Sequence, residues 1–174
     1  MSSLVDWQIR HWAEHQGLIP YRPDLVNPAS VNVRIDSTIK VESPNGTLYD
    51  VDISSNNAGN PFMVEPGEWI LAATEEVVTL PNCYEAEVCL RSSAARAGWQ
   101  HALAGYVDPS WQGVITLELK NIRRYKSLPI YPGLELCQLR VKELSRVPKV
   151  NYEMTGRYYG DMGVQENKDV TVGL

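Results

Sequence analysis

The chain has 174 residues, of which 44% are hydrophobic and 21% charged, and its formal net charge is −5. This length suffices for one folded domain around one core and leaves no room for two, so residues 1–174 are predicted to form a single domain. The negative balance disfavours a nucleic acid partner, because most of the surface would repel a polyanion.

The three cysteines, at positions 83, 89 and 137, form an odd and unpatterned set. Such a set argues against a disulfide framework and for a reducing compartment, so a cytoplasmic address is expected, or the host cytoplasm if the source is a virus. No stretch approaches the roughly 20 apolar residues of a membrane span, and the first residues lack the pattern of an export leader. No membrane partner is expected.

One short amphipathic helix is predicted within residues 1–17. Ser3 is a candidate N-cap with Asp6 three residues later, and Gly17 is a candidate stop signal. The predicted buried face consists of Val5, Ile9, Trp12 and Ala13. Packing against the core explains such an apolar stripe without a further role.

Most of the following chain is predicted to form short strands. Residues Ala29–Asp36 alternate, with Val31, Val33 and Ile35 predicted to face the core and Asn32 and Arg34 to face the other way. Pro44–Gly46 is typical of a hairpin turn, and residues 63–80 contain consecutive strands. With eleven prolines, twelve glycines and one convincing helix, the chain is predicted to be an all-β barrel or sandwich.

The segment Arg91–Asn121 carries most of the groups that could do chemistry. Two arginines and two serines lie within six positions, at Arg91, Ser92, Ser93 and Arg96. Arginine forks suit an anion with several oxygens, although a surface ion pair is the alternative interpretation of both arginines.

Two carboxylates follow in the same segment. Asp108 precedes a proline, where a turn-forming role is also possible. Glu118 shares one face of an alternating strand with Thr116, opposite Leu117. Periodicity alone is equally compatible with an ordinary solvated strand face at Glu118.

The sequence lacks the common motifs of metal-dependent deamination and of nucleotide-binding loops. A zinc deaminase needs H-x-E together with P-C-x-x-C, and neither pattern is present. A P-loop and a dinucleotide fingerprint are also missing.

The motifs RSSAARAG, AGYVDPSWQGVITLEL and PGLELCQL together resemble the deoxycytidine triphosphate (dCTP) deaminases, relatives of the trimeric dUTPases. The similarity extends from LVDWQIRHW to RYYGDMG and so covers nearly the whole chain. It implies an all-β, distorted jelly-roll barrel with a short N-terminal helix. It also implies a homotrimer that binds dCTP or dUTP in active sites at the subunit interfaces.

The resemblance implies hydrolytic deamination of dCTP to dUTP and ammonia. Glu118 matches the catalytic glutamate of the T-L-E triplet, Ser92 would hold the attacking water, and Arg96 would balance charge nearby. A carboxylate there could take a proton from water and then donate one to the ring nitrogen. The implied substrate-binding residues are Arg91, Ser93, Ala104, Asp108, Thr116, Leu117, Tyr152, Arg157 and Asp161.

Several of these residues have more specific implied contacts. Arg91 and Ser93 would lie toward the phosphates, and Asp108 would accept a hydrogen bond from the sugar 3′-hydroxyl. Residues His101–Ala104 match a hairpin whose backbone reads the base edge, so their side chains receive little weight. Mg²⁺ is expected as a cofactor bound through phosphate oxygens and water, without a protein metal ligand.

The end of the chain, residues 151–174, resembles a C-terminal lid followed by a tail, and a disordered polar tail is predicted from residue 165. Three departures from the family pattern stand out. Asn32 replaces the usual Asp, Asp161 replaces Gln, and VQENKD replaces a small, hydroxyl-rich ending. Lys168 is a candidate for the missing phosphate contacts.

Two other functions remain open at this point. One is a phosphohydrolase that converts dUTP to dUMP, alone or coupled to deamination, since both chemistries share the implied fold. The other is a non-catalytic, trimeric nucleotide-binding regulator. The T-L-E glutamate favours a deaminase over a plain dUTPase, and the intact Glu118, Ser92 and Arg96 speak against the regulator.

Overall fold

The computed structural model describes residues 2–169, which form mainly β structure. The first half contains β1 (Ser2–Ser3), α1 (Asp6–Trp12), β2 (Leu18–Ile19), β3 (Val26–Asn27), β4 (Ser30–Val33), β5 (Ile35–Glu42), β6 (Leu48–Asp52), β7 (Phe62–Val64), β8 (Trp69–Thr74) and β9 (Val77–Thr79). The second half contains β10 (Tyr84–Leu90), α2 (Ser92–Ala97), β11 (Trp99–His101), β12 (Tyr106–Val107), β13 (Gln112–Gly113), β14 (Thr116–Asn121), β15 (Leu128–Ile130), β16 (Cys137–Glu143) and α3 (Tyr152–Thr155).

Two antiparallel sheets enclose the core. The six-stranded sheet has the order β12–β10–β16–β4–β3, with β1 also paired to β16, and the five-stranded sheet has the order β11–β14–β8–β5–β6. Fully buried side chains from both sheets meet between them, among them Ile39, Ile70, Leu117, Leu119, Val31 and Leu139. This packing of two inner faces confirms the predicted all-β jelly-roll architecture.

Helix α1 covers one end of the core, but it begins later than predicted. Ser3 does not cap it, because Ser3 pairs with Lys142 of β16 in an edge strand. The backbone N–H of Val5 instead donates to the Gln8 side chain (3.1 Å). Val5 is also 39% exposed, so the predicted buried face starts only at Ile9.

The strand predicted at residues 29–36 is split between β4 and β5 and is buried on both faces. Asn32 and Arg34, predicted to face away from the core, are only 6% and 9% exposed. Arg34 can be buried because its backbone N–H and its Nε both donate to the Glu76 carboxylate, at 2.9 and 2.7 Å. Asn32 donates to Glu135, which satisfies its amide.

Other local predictions are confirmed. The turn at Pro44–Gly46 joins β5 to β6, with Gly46 in the left-handed region at φ 83°. Strands β7, β8 and β9 cover the residues 63–80 that were predicted to form consecutive strands. Helices α2 and α3 were not predicted. None of the helices within residues 2–169 is long and apolar enough to cross a membrane.

Candidate active site

A cavity of about 920 Å³ lies against the outer face of the five-stranded sheet. Thr116 and Glu118 of β14 contribute polar groups to its lining. Its aromatic and apolar lining residues include Trp69, Leu71, Tyr106, Trp111, Tyr152 and Tyr158. Apolar walls with a few polar groups are typical of ligand-binding pockets.

The pleat of β14 decides which side chains reach this cavity. Glu118 pairs with Leu71 of β8, and the two side chains share the cavity face. Leu117 and Leu119 point the other way and are completely buried. The predicted face of Glu118 is therefore confirmed, whereas the Leu117 side chain lies in the core and cannot itself touch a ligand in the cavity.

His101 lies directly behind Glu118. Its side chain is only 3% exposed, and its Nε2 is 3.3 Å from Glu118 Oε2. The two atoms are close enough for charge pairing but are not aligned as a hydrogen bond, and neither has a hydrogen-bond partner within residues 2–169. Because buried polar atoms are rarely left without a hydrogen-bond partner, this pair is a candidate functional group.

Sequence reasoning gave the His101 side chain little weight. The two residues are seventeen positions apart, and only the pairing of β11 with β14, which sets His101 opposite Leu119, brings them together. A histidine at the end of an apolar strand carries no signal for this contact in the sequence.

The turn after His101 presents backbone to the cavity. Ala102 N–H donates to the backbone carbonyl of Glu118 (3.1 Å), and Ala104 lines the cavity. Leu103 has a positive φ of 64° and is 92% exposed, so it packs on nothing within residues 2–169. A Cβ on Gly105 would lie 2.5 Å from the Val88 carbonyl oxygen, so this close approach requires glycine.

Asp108 lies beside the large cavity. It lines an adjoining cavity of about 360 Å³, and Tyr106 and Tyr152 line both spaces. Burial, with a smaller contribution from the charge of Glu85, raises the pKa of Asp108. Burial and a 3.0 Å hydrogen bond to Glu85 raise the pKa of Tyr106 to about 12.

The C-terminal segment lies across the large cavity. The backbone carbonyl of Asp161 accepts a hydrogen bond from Val114 N–H at 2.9 Å, and Gln165 N–H donates to Thr116 Oγ1 at 3.1 Å. Tyr152 packs against Trp111 with ring centroids 5.2 Å apart. The predicted lid residues Tyr152 and Asp161 therefore line the cavity.

One prediction about the end of the chain is wrong. Residues 165–169 are not a disordered tail but lie along the cavity, while residues 170–174 of that tail fall outside the described residues. Arg157 is not among the lining residues and forms an ion pair with Asp169, which is; the contact of Arg157 with a nucleotide stays a prediction. Lys168 bonds both carboxylate oxygens of Asp161, at 2.6 and 2.9 Å.

The basic part of the predicted site lies elsewhere in the chain. Arg91 precedes α2, and Ser92, Ser93 and Arg96 are exposed on α2; none of the four lines the cavity of Glu118. The register of β11 and β14 places the end of α2 beyond Asn121, away from Glu118. One chain alone therefore does not bring Ser92 or Arg96 to the carboxylate.

Within residues 2–169, no three His, Cys, Asp or Glu side chains converge as metal ligands would. The described residues therefore offer no cage of protein ligands for a divalent cation.

Known proteins similar to this chain fall into one family. A family model described as dCTP deaminase-like matches residues 3–144. A Thermobifida fusca protein named "dCTP deaminase, dUMP-forming" is 38% identical over 162 residues, which cover 84% of this chain and 81% of that protein. A protein of the same name from Mycolicibacterium gilvum is 36% identical over 186 residues, covering 95% of this chain and 94% of its own.

A solved structure shares the fold. The 2′-deoxycytidine 5′-triphosphate deaminase of Agrobacterium tumefaciens superposes with a TM-score of 0.68 at 22% identity, over 82% of this chain and 48% of that chain. The family model matches most of the chain, and the two relatives are more than 30% identical over at least 81% of their own length. Together these matches show the family. The chain belongs to the dCTP deaminase-like family.

Proposed function

We propose that this protein hydrolyses the 4-amino group of dCTP, with Glu118 as the catalytic residue. The observation that carries the proposal is the position of Glu118, the one carboxylate that β14 presents to the 920 Å³ cavity. The hairpin backbone at Ala104 and the aromatic walls at Tyr106 and Trp111 surround a space suited to a pyrimidine nucleoside.

The chemistry needs only groups that this cavity offers. Glu118 takes a proton from water as the water oxygen attacks C4 of the base, and it returns a proton to the ring nitrogen N3. The new C4 hydroxyl then gives its proton to the amino group through Glu118, the C4–N bond breaks, and ammonia leaves as the C4 carbonyl forms, so that dCTP and water give dUTP and ammonia. Oε2 of Glu118 is buried beside His101, whereas the side chain as a whole is 26% exposed, so we assign these transfers to the other carboxylate oxygen, Oε1.

The remaining catalytic groups are proposed to come from a second copy of the chain. Ser92 and Arg96 are exposed on α2 and lie outside the cavity of their own chain, so an interface between copies is the simplest way to bring them to Glu118. A homotrimer with one site at each interface meets this requirement. In that site Ser92 would hold the water and Arg96 would balance the charge that develops.

The product is proposed to be dUMP. Support comes from the relatives, which at 33–38% identity are named dUMP-forming. In the second step water attacks a phosphoryl group of dUTP, a P–O bond breaks, and dUMP and pyrophosphate are released. Mg²⁺ is expected to enter with the triphosphate, held by phosphate oxygens and water. Release of dUTP, the first interpretation of the sequence, is the competing outcome.

The test is to incubate the purified protein with dCTP and Mg²⁺ and to measure ammonia, pyrophosphate, dUTP and dUMP. Equal amounts of ammonia, pyrophosphate and dUMP would support the coupled reaction. Ammonia with dUTP alone would leave a deaminase that stops at the first step. Unchanged dCTP would reject the proposal, and the same assay with dUTP would then identify a plain phosphohydrolase.

The shared site is tested by mixing two inactive variants. Glu118→Gln and Arg96→Ala chains, co-expressed with different tags, should each be inactive alone. Mixed trimers should recover activity in about a third of their sites, because one of the three interfaces in a cyclic mixed trimer combines an intact Glu118 with an intact α2. Mixed trimers without activity would show that one chain supplies both residues.

A further inference from the structure

The side chain of Arg91 is held by one carboxylate, that of Glu135. Arg91 Nη1 donates to Glu135 Oε2 at 2.8 Å and to the Glu135 carbonyl at 3.1 Å. The Arg91 backbone N–H donates to the Leu136 carbonyl at 2.9 Å. The segment before β16 therefore fixes both the backbone and the guanidinium of Arg91.

Glu135 is in turn fixed by a buried amide. Asn32, 6% exposed, donates from Nδ2 to the same Oε2 of Glu135 at 2.7 Å. Asn32 Oδ1 accepts from Asn27 Nδ2 at 2.8 Å, which sets the orientation of the amide. An aspartate at position 32 would put a second negative charge against Glu135, so the departure from the family's usual Asp is matched to this carboxylate.

This arrangement has little value as a source of stability. The side chains of Arg91 and Glu135 are 35% and 32% exposed, and ion pairs of that exposure contribute little to folding. The bonds do leave one edge of the guanidinium, Nε and Nη2, without a hydrogen-bond partner within residues 2–169. That edge is the one with which arginine binds an oxyanion through two parallel N–H groups.

We propose that Glu135, anchored by Asn32, is a positioning residue that orients Arg91 for the phosphates of the nucleotide. This inference rests on the proposed function and on the position toward the phosphates that the family resemblance implies for Arg91. An arginine that is already ordered loses less conformational freedom on binding, so the Asn32–Glu135–Arg91 relay raises affinity for the phosphates and leaves the deamination step untouched.

The first test is Glu135→Gln, with Glu87→Gln as the matched control, since Glu87 is a half-exposed carboxylate paired with Arg140 and Lys142 in the same sheet. Calorimetry would measure binding of inorganic tripolyphosphate and of deoxycytidine. We expect Glu135→Gln to weaken tripolyphosphate binding and raise KM for dCTP by about 10-fold, the size seen when an outer support of a metal ligand is lost. Deoxycytidine binding and kcat should stay unchanged.

Simple electrostatics predicts the opposite direction, because removing a negative charge near an anion site should tighten anion binding. Tighter or unchanged tripolyphosphate binding by Glu135→Gln would therefore overturn the inference, as would a wild-type protein that does not bind tripolyphosphate. A wild-type protein that binds tripolyphosphate but leaves dCTP intact would reject the proposed function instead. The effect of Glu135→Gln on tripolyphosphate binding would still test the positioning role.

The second test moves the carboxylate from position 135 to position 32. Asn32→Asp alone should weaken tripolyphosphate binding, because it sets two carboxylates against each other. Combined with Glu135→Gln it should recover most of the lost affinity, because Asn32 and Arg91 converge on one oxygen and a carboxylate at position 32 stays near the guanidinium. A double variant that binds no better than Glu135→Gln, with a lowered Tm, would show a purely structural network.

Discussion

Two glutamates in this molecule, one buried and one half-buried at the cavity, differ in how the fold satisfies their oxygens. Glu76 is 1% exposed, and both its oxygens accept hydrogen bonds from Arg34. Glu118 lies at the cavity with a buried histidine 3.3 Å away, yet its Oε2 has no aligned hydrogen bond. Both oxygens of Glu76 are satisfied by hydrogen bonds within the fold, whereas Glu118 keeps unused hydrogen-bonding capacity.

The difference separates a structural carboxylate from a chemical one. A fully paired group holds two segments together, here the junction of β4 and β5 against the turn between β8 and β9. A group with unused hydrogen-bonding capacity in a cavity costs stability, which proteins tolerate where a ligand or a reaction uses it.

The largest effect is expected at Glu118. Replacement by Gln should lower turnover of dCTP by about 1,000-fold or more, because no other described carboxylate on β14 can move the protons. Nucleotide binding should persist, and Tm should be unchanged or higher, since an unsatisfied charge is removed. Steady-state kinetics and calorimetry check this, with exposed Glu143→Gln as the control. Retained turnover would reject the catalytic assignment.

Arg34→Met should show the reverse pattern. It should lower the free energy of unfolding by about 3–5 kcal/mol, because it leaves the buried carboxylate of Glu76 without its partner. Turnover per folded molecule should not change. Denaturant titration measures the loss, and Arg34→Met with Glu76→Leu should regain most of it.

The same variant carries a pH dependence with a definite sign. Burial raises the pKa of Glu76 even with Arg34 present, and removal of Arg34 would raise that pKa further. The folded variant then takes up a proton more readily than the unfolded chain, so its stability should improve as pH falls through the raised pKa. The deficit relative to wild type should be smaller at pH 5 than at pH 8, and an equal deficit would contradict a charged Glu76.

His101→Phe should lower kcat by about 10- to 100-fold, because the polar nitrogen 3.3 Å from the Glu118 carboxylate is replaced by an apolar ring. KM should change little, since the hairpin backbone that faces the cavity is kept. Exposed Gln100→Ala on the same strand is the control, and His101→Gln should restore part of the rate. An effect on Tm alone would make His101 a packing residue.

The smallest effect is expected at Asp108, through pH. Burial and the charge of Glu85 raise its pKa, and a protonated carboxyl is a weaker acceptor than a carboxylate for the proposed sugar hydrogen bond. KM for dCTP should therefore rise as pH falls through this raised pKa, earlier than for an ordinary aspartate. Glu85→Gln should move the rise to lower pH by removing the smaller of the two causes. If the pH dependence of KM is the same in Glu85→Gln and wild type, ionisation of Asp108 does not affect dCTP binding.

The sequence by itself determined the local structure and the family. Alternation in β14 placed Glu118 and Thr116 on one face, turn residues placed the β5–β6 hairpin, and the motifs around Arg91 and Glu118 carried the resemblance that the family match confirms. These properties depend on backbone periodicity and on short motifs, which neighbouring residues encode.

Only the tertiary structure decided which distant residues meet. Asn32 was predicted to face away from the core and is instead buried against Glu135, 103 positions later. His101 reaches Glu118 through a strand pairing, and Ser92 stays away from it in one chain. Such contacts follow from the register and packing of whole sheets, in which the partner that satisfies a polar group comes from anywhere in the chain, so no local pattern can name it.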